Sequence, residues 1–219
     1  MANSIINSNS HSFTLSKNSR YSISTGYLVL GLIISILFII LNNSGLSIVE
    51  YPFINEILYG TIIASTHLGF SLFAYPGNPS TKINRSIFGL LSGTLIFYII
   101  LILFGAPFLK SVHTTFFYGY LLSAMCVVPP SILLGSNPQN WKELFLNQNH
   151  SNIIETCCVI VVVSSLLMSW VGAFPIPLDW DRPWQVWPIS CVYSSMFGHI
   201  LGLFISTIYS LLYKEKKSK

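Results

Sequence analysis

Charge is scarce in this sequence. Among 219 residues there are seven acidic and eleven basic side chains, and charged residues make up 8% of the chain. A soluble domain carries roughly 25%. So few charges cannot cover a water-facing surface of this size, which excludes a soluble globular fold. Cysteine is equally sparing. Cys126, Cys157, Cys158 and Cys191 all fall in apolar runs and show no CxxC or metal-like spacing with histidine. Buried free thiols are the simple reading, with acylation of Cys157 or Cys158 as the alternative. No internal repeat is visible, and no stretch between apolar runs is long enough for a separate catalytic domain. No cofactor motif, no metal-ligand cluster and no nucleophile in a recognisable context is present, so the expectation is a chain with no catalytic residues, no cofactor and no nucleic-acid partner.

What the chain has is apolar length. Hydrophobic residues reach 52% and the mean hydropathy is +0.64. A membrane-spanning helix needs about 20 apolar residues. Six runs approach or meet that length, over 27–41, 57–75, 86–104, 114–134, 153–174 and 187–212. The fold expected is all-α, a polytopic membrane bundle of about six transmembrane helices with both termini cytosolic. Residues 1–26 read as a disordered cytosolic tail, 27–213 as the six-helix domain and 214–219 as a basic tail. Residues 21–26 are a candidate extension of the first run, which would act as an uncleaved signal anchor. Gly89 and Gly93 in the third run, and Gly198 and Gly202 in the sixth, carry the small-xxx-small spacing that lets helix backbones approach. Pro129-Pro130 sits in the fourth run and is expected to kink or end it.

Basic residues set the orientation, because Lys and Arg are retained on the cytosolic side of short loops. With the N-terminus in the cytosol, Lys17, Arg20, Lys82, Arg85, Lys142, Lys214, Lys216, Lys217 and Lys219 fall on the cytosolic side. Lys110 and Arg182 fall opposite, and these two groups account for all eleven basic residues. Lys216 and Lys217, third and fourth from the C-terminus, have the spacing of a dilysine retrieval signal for the endoplasmic reticulum. An ordinary basic stop after a last span reads the same way.

Two lumenal segments stand out. Residues 170–188, WVGAFPIPLDWDRPWQVWP, hold four prolines, four tryptophans and the charges Asp179, Asp181 and Arg182. No regular helix tolerates that proline density. One reading is a rigid interfacial loop with Arg182 paired to an aspartate. The other is a built surface for a lumenal partner or a lipid headgroup, because prolines lower the entropy cost of ordering and Trp and Arg dominate binding hot spots. Asp179, Trp180, Asp181, Arg182, Pro183, Trp184 and Trp187 are the candidate residues. Asp179 and Asp181 alone do not make a catalytic metal site, since no histidine or further carboxylate completes it. The second segment is the turn at 105–114, where Lys110 and His113 are either a snorkelling lysine and a turn histidine or a pair facing a lipid phosphate. Within the spans, His67 and His199 are either functional ionisable groups or hydrogen-bonding partners across a helix interface.

These segments carry a resemblance. Gly105-Ala106-Pro107-Phe108, His113-Thr114, Val128-Pro129-Pro130 and above all residues 173–189, AFPIPLDWDRPWQVWPI, resemble the PIG-F family, fungal members included. The span pattern resembles it over 27–213, with motif-level similarity at 105–135 and 170–202. The resemblance implies a multi-pass protein of the endoplasmic reticulum membrane, in glycosylphosphatidylinositol (GPI) anchor synthesis. It implies a non-catalytic, stabilising partner of the large GPI ethanolamine phosphate transferase catalytic subunits, which carry metal-dependent lumenal domains. Phosphatidylethanolamine and the GPI precursor are then the lipids nearby, and a stand-alone lipid-handling protein presenting either of them is the alternative.

Overall fold

The computed structural model describes residues 17–74, 76–107, 109–146 and 152–213, with side chains from Arg20 onward. Lys216 and Lys217 lie outside the described residues. Eight α-helices follow in order among the described residues: α1 Lys17–Asn43, α2 Pro52–Ala74, α3 Pro79–Leu103, α4 Val112–Cys126, α5 Val128–Leu134, α6 Pro138–Phe145, α7 Ile153–Ala173 and α8 Ile189–Leu212. A single 3-10 turn, Pro183–Gln185, lies between α7 and α8. The fold is all-helical. Among the described residues five helices are long and apolar enough to cross a membrane, or six if the bent pair α4 and α5 counts as one span.

Local chemistry explains most of these boundaries. Asn78 and Asn137 each start a helix in the same way. The side-chain Oδ1 accepts from the backbone N–H two residues on, and a proline follows at the first helical position. That pairing uses an N–H that would otherwise be orphaned and a ring already set at helical φ. The break between α4 and α5 comes from Pro129 and Pro130. Neither has an N–H to give the carbonyls one turn back, and the axis bends by 44°.

Two expectations move. The first helix begins at Lys17, so residues 17–26 are helical, and residues 1–16 lie outside the described residues. The second begins at Pro52, five residues before the apolar run at 57, which brings Asn55 and Glu56 into the helix. The short helix α6 is amphipathic and, at eight residues, too short to span a membrane.

The helices alternate in direction, so the bundle has two ends. One, the tail end, carries the start of α1, the α2–α3 turn, α6 and the end of α8. There Arg20 Nη1 donates to the Tyr213 carbonyl and Ser24 Oγ donates to the Thr207 carbonyl at 3.1 Å. The other, the loop end, carries residues 44–51, the α3–α4 turn and residues 174–188.

The glycine pairs pack as their spacing predicts. A Cβ on Gly198 would lie 2.5 Å from the Ser164 carbonyl on α7, and one on Gly202 would lie 2.9 Å from Val161 Cα. Gly172 meets α8 in the same way, at 2.7 Å from Cys191 Cα. Gly89 and Gly93 play this part between α3 and Ser131 and Ser123. α7 and α8 are the most intimate pair. α3 is the least covered span, with 22% of its apolar window buried.

Candidate functional site

The loop end is organised around Gln185, a residue that sequence reasoning left among its neighbours. Prolines at 175, 177 and 183 keep the chain out of a helix, so its backbone groups need other partners. Gln185 supplies them. Its Oε1 accepts from Arg182 N at 2.8 Å, and its Nε2 donates to the carbonyls of Pro175 at 2.8 Å and Leu178 at 2.9 Å. The side chain is 8% exposed. A single buried amide thus closes residues 175–185 on themselves. Asp181 has φ +48°, the left-handed region in which Asp and Asn are the best-tolerated residues with a side chain.

Trp187 anchors the returning chain. Its Nε1 donates to Thr115 Oγ1 at 2.9 Å, and its ring stands edge-on to Tyr118 at 5.8 Å. Tyr118 OH donates to the Cys191 carbonyl at 3.2 Å and meets Ser169 Oγ at 2.6 Å. The Trp187–Pro188 peptide is cis. The predicted tryptophans therefore divide. Trp187 is half-buried structure, joining α4 to the start of α8. Trp184 is half-buried, with its ring 5.9 Å from that of Trp180. Trp180 itself is 56% exposed, and Asp179, Asp181, Arg182 and Pro183 are exposed beside it. Lys110 and His113 are also exposed at this end, in the α3–α4 turn and the first turn of α4. Of the loop residues, Trp187 reaches that helix, through Thr115.

Beside Trp184 opens a cavity of about 450 Å³, lined by Val49, Pro175, Trp184, Ser190 and Tyr193. Ser190 Oγ is buried and has no hydrogen-bond partner. Among the described residues no group of three or more His, Cys, Asp or Glu could hold a metal ion.

Deeper in the bundle lie two polar features. His67 of α2 and His199 of α8 meet Nε2 to Nε2 at 3.2 Å, and His199 Nδ1 meets Ser165 Oγ at 3.0 Å. Ser165 gives its one proton to the Val161 carbonyl at 2.7 Å. It must therefore accept from His199 Nδ1–H, which makes His199 Nε2 the acceptor and His67 Nε2–H the donor. Every proton in the row has a place, which is the interface role open to these histidines. Glu56 is the opposite case. It is 0% exposed, and neither carboxyl oxygen has a partner.

Comparison with known proteins agrees with the motifs. The chain is 43% identical over 119 residues to a mouse protein named GPI ethanolamine phosphate transferase, stabilizing subunit, covering 54% of each chain. It is 27% identical over 164 residues to glycosylphosphatidylinositol anchor biosynthesis protein 11 of Yarrowia lipolytica, covering 70% of this chain and 72% of that one. It is 38% identical over 119 residues to a PIGF/3-ketodihydrosphingosine reductase fusion protein of Schizosaccharomyces pombe, covering 54% of this chain and 24% of the other. The chain spans about half the length of the mouse and human relatives it matches. No solved structure matches it. The profile described as GPI biosynthesis protein family Pig-F matches residues 27–207, and the chain belongs to that family.

Proposed function

We propose that this chain is a non-catalytic, stabilising subunit of a GPI ethanolamine phosphate transferase in the endoplasmic reticulum membrane, with its loop end turned to the lumen. The large catalytic subunit is its partner. The observation that carries the reading is the loop at 174–188, which is held from inside by Gln185 and Trp187 while its most recognisable side chains face outward. Interface anchors of this composition bind well when they are already ordered, since little entropy is lost on association. Trp180, Asp179, Asp181, Arg182 and Pro183 form the contact surface in this reading, with Trp184 beneath it and Lys110 and His113 at its edge. Phosphatidylethanolamine and the GPI precursor reach the shared membrane face. Lys216 and Lys217 return the subunit to the endoplasmic reticulum.

The test is co-purification in mild detergent. Wild-type chain is expected to bring down a large ethanolamine phosphate transferase, and the double variant Trp180→Ala, Arg182→Glu is expected to lose at least tenfold of it while migrating as a monodisperse species. Normal abundance and activity of the transferases in cells lacking this chain would sink the proposal. Metal-dependent turnover by the isolated chain, abolished by Asp181→Asn, would replace it with an enzyme.

A further inference from the structure

At the tail end, beside the kink, α3 and α5 part and leave a groove of about 720 Å³. Its α3 wall is Arg85, Phe88, Ser92 and Ile96, and its far wall is Val127 and Ser131. It lies beside the Pro129-Pro130 break, where the α4–α5 axis bends by 44°. Gly89 forms the floor and brings the helices together there. A Cβ at Gly89 would lie 2.3 Å from Ser131 Oγ.

The mouth is chemically different from the walls. Arg85 is half-buried there, with Nη1 donating to the Ile132 carbonyl at 3.2 Å. That bond ties the guanidinium to the end of α5, at the mouth of the groove. Gly135 makes room for it. A Cβ at that position would come within 3.0 Å of the guanidinium atoms. Around it stand Thr81, Asn84, Ser136 and the ring of Trp141, whose Nε1 is fixed to the Gly135 carbonyl at 2.8 Å. A planar cation with polar neighbours is the group that recognises a phosphate.

Length decides the occupant. From Arg85 to Ile96 the helix rises about 16 Å at roughly 1.5 Å per residue. Half of a hydrocarbon core of about 30 Å is about 15 Å. A groove of that length matches one leaflet, with its cation at headgroup level and its apolar end towards the midplane in the proposed placement. A spanning helix of a partner needs a groove of twice that length. Phe88 and Ile96 are 64% and 54% exposed, as walls open to the bilayer should be.

We infer that the groove between α3 and α5 is a binding site for one phospholipid of the tail-end leaflet, its phosphate on Arg85 and an acyl chain along Phe88, Ser92 and Ile96. The site is independent of the loop-end surface and of the partner proposed above.

The full chain is purified in a phosphate-free maltoside detergent and given a phosphatidylserine with a diazirine midway along one acyl chain. After illumination, adducts are mapped by mass spectrometry. Adducts are expected to concentrate on Phe88, Ser92 and Ile96. Unlabelled phosphatidylserine should compete them away and matched diacylglycerol should not. Arg85→Gln should reduce them at least fivefold. Ser92→Phe, which fills the groove without touching the guanidinium, should do the same, and it stands in if the arginine variant does not fold. Labelling spread evenly over the exposed faces of α1, α3 and α8 would overturn the site. So would labelling insensitive to both variants, or competition by diacylglycerol as strong as by the phospholipid.

Discussion

Glu56 is the residue whose surroundings fit it least. It is fully buried in α2, and both carboxyl oxygens lack a partner, where an unmade hydrogen bond costs about 1–3 kcal/mol per group. Glu56→Met is therefore expected to raise the melting temperature of the purified chain in detergent, by an amount corresponding to about 1–3 kcal/mol, with Glu56→Gln changing it less. A lower melting temperature for the methionine variant would mean that the carboxyl is engaged. The sequence hid this residue for a definite reason. Apolar periodicity starts at Ile57, and the helix starts five residues earlier because Pro52 is well suited to a first turn. Gln185 was hidden differently. It stands within a motif of tryptophans and charges, and its three hydrogen bonds go to backbone groups up to ten residues away, which no side-chain pattern announces. The pairing of His67 with His199 spans 132 positions and also leaves no local mark, although both histidines stood out singly as ionisable groups in apolar runs.

Among the elements, the α7–α8 pair shows how much spacing alone can reveal. Gly198 and Gly202 were visible as a close-packing stripe, and the structure sets them against the α7 backbone. Gly198→Val drives a branched side chain into the rigid Ser164 carbonyl, and overpacking of this kind costs about 1–3 kcal/mol. Its melting temperature should fall by several degrees. Gly69 is the control within the same experiment. A Cβ there meets nothing within 4 Å, so Gly69→Ala should hold or improve stability, as alanine is the better helix former by up to about 1 kcal/mol. Equal losses in both variants would mean that the close approach of α7 and α8 contributes little. The kink at Pro129-Pro130 was also legible, because a missing N–H is a property of the residue itself. What the kink leaves beside it was not, since the groove depends on where α3 and α6 lie. The tryptophans of 170–188 were legible only as a group. Aromatic belts treat every ring alike, and only the fold separates Trp187, bonded to Thr115, from Trp180 in the open.

For the molecule as a whole, the two-ended arrangement makes the proposed orientation testable. All four cysteines are buried and free, so a single introduced cysteine can be read without background. In sealed microsomes, Gln139→Cys in α6 is expected to react with a membrane-impermeant maleimide, and Lys110→Cys is expected to react only after permeabilisation. The reverse pattern would invert the bundle and remove the loop end from the lumen. The span count and the all-helical class were readable from composition and run length, because lipid imposes them on any chain with so little charge. The order of neighbours was not, since lipid is indifferent to which helix touches which. Here the contact of Arg20 with the Tyr213 carbonyl has a further consequence. It brings the first and last helices together at one end, so the path of the described chain is nearly a closed circuit. Cargo joined to either end of such a circuit hangs from the same side, opposite Trp180 and Arg182. The architecture therefore accommodates fusion to an unrelated soluble domain, at either end of the gene, without crowding the face proposed above to meet a partner.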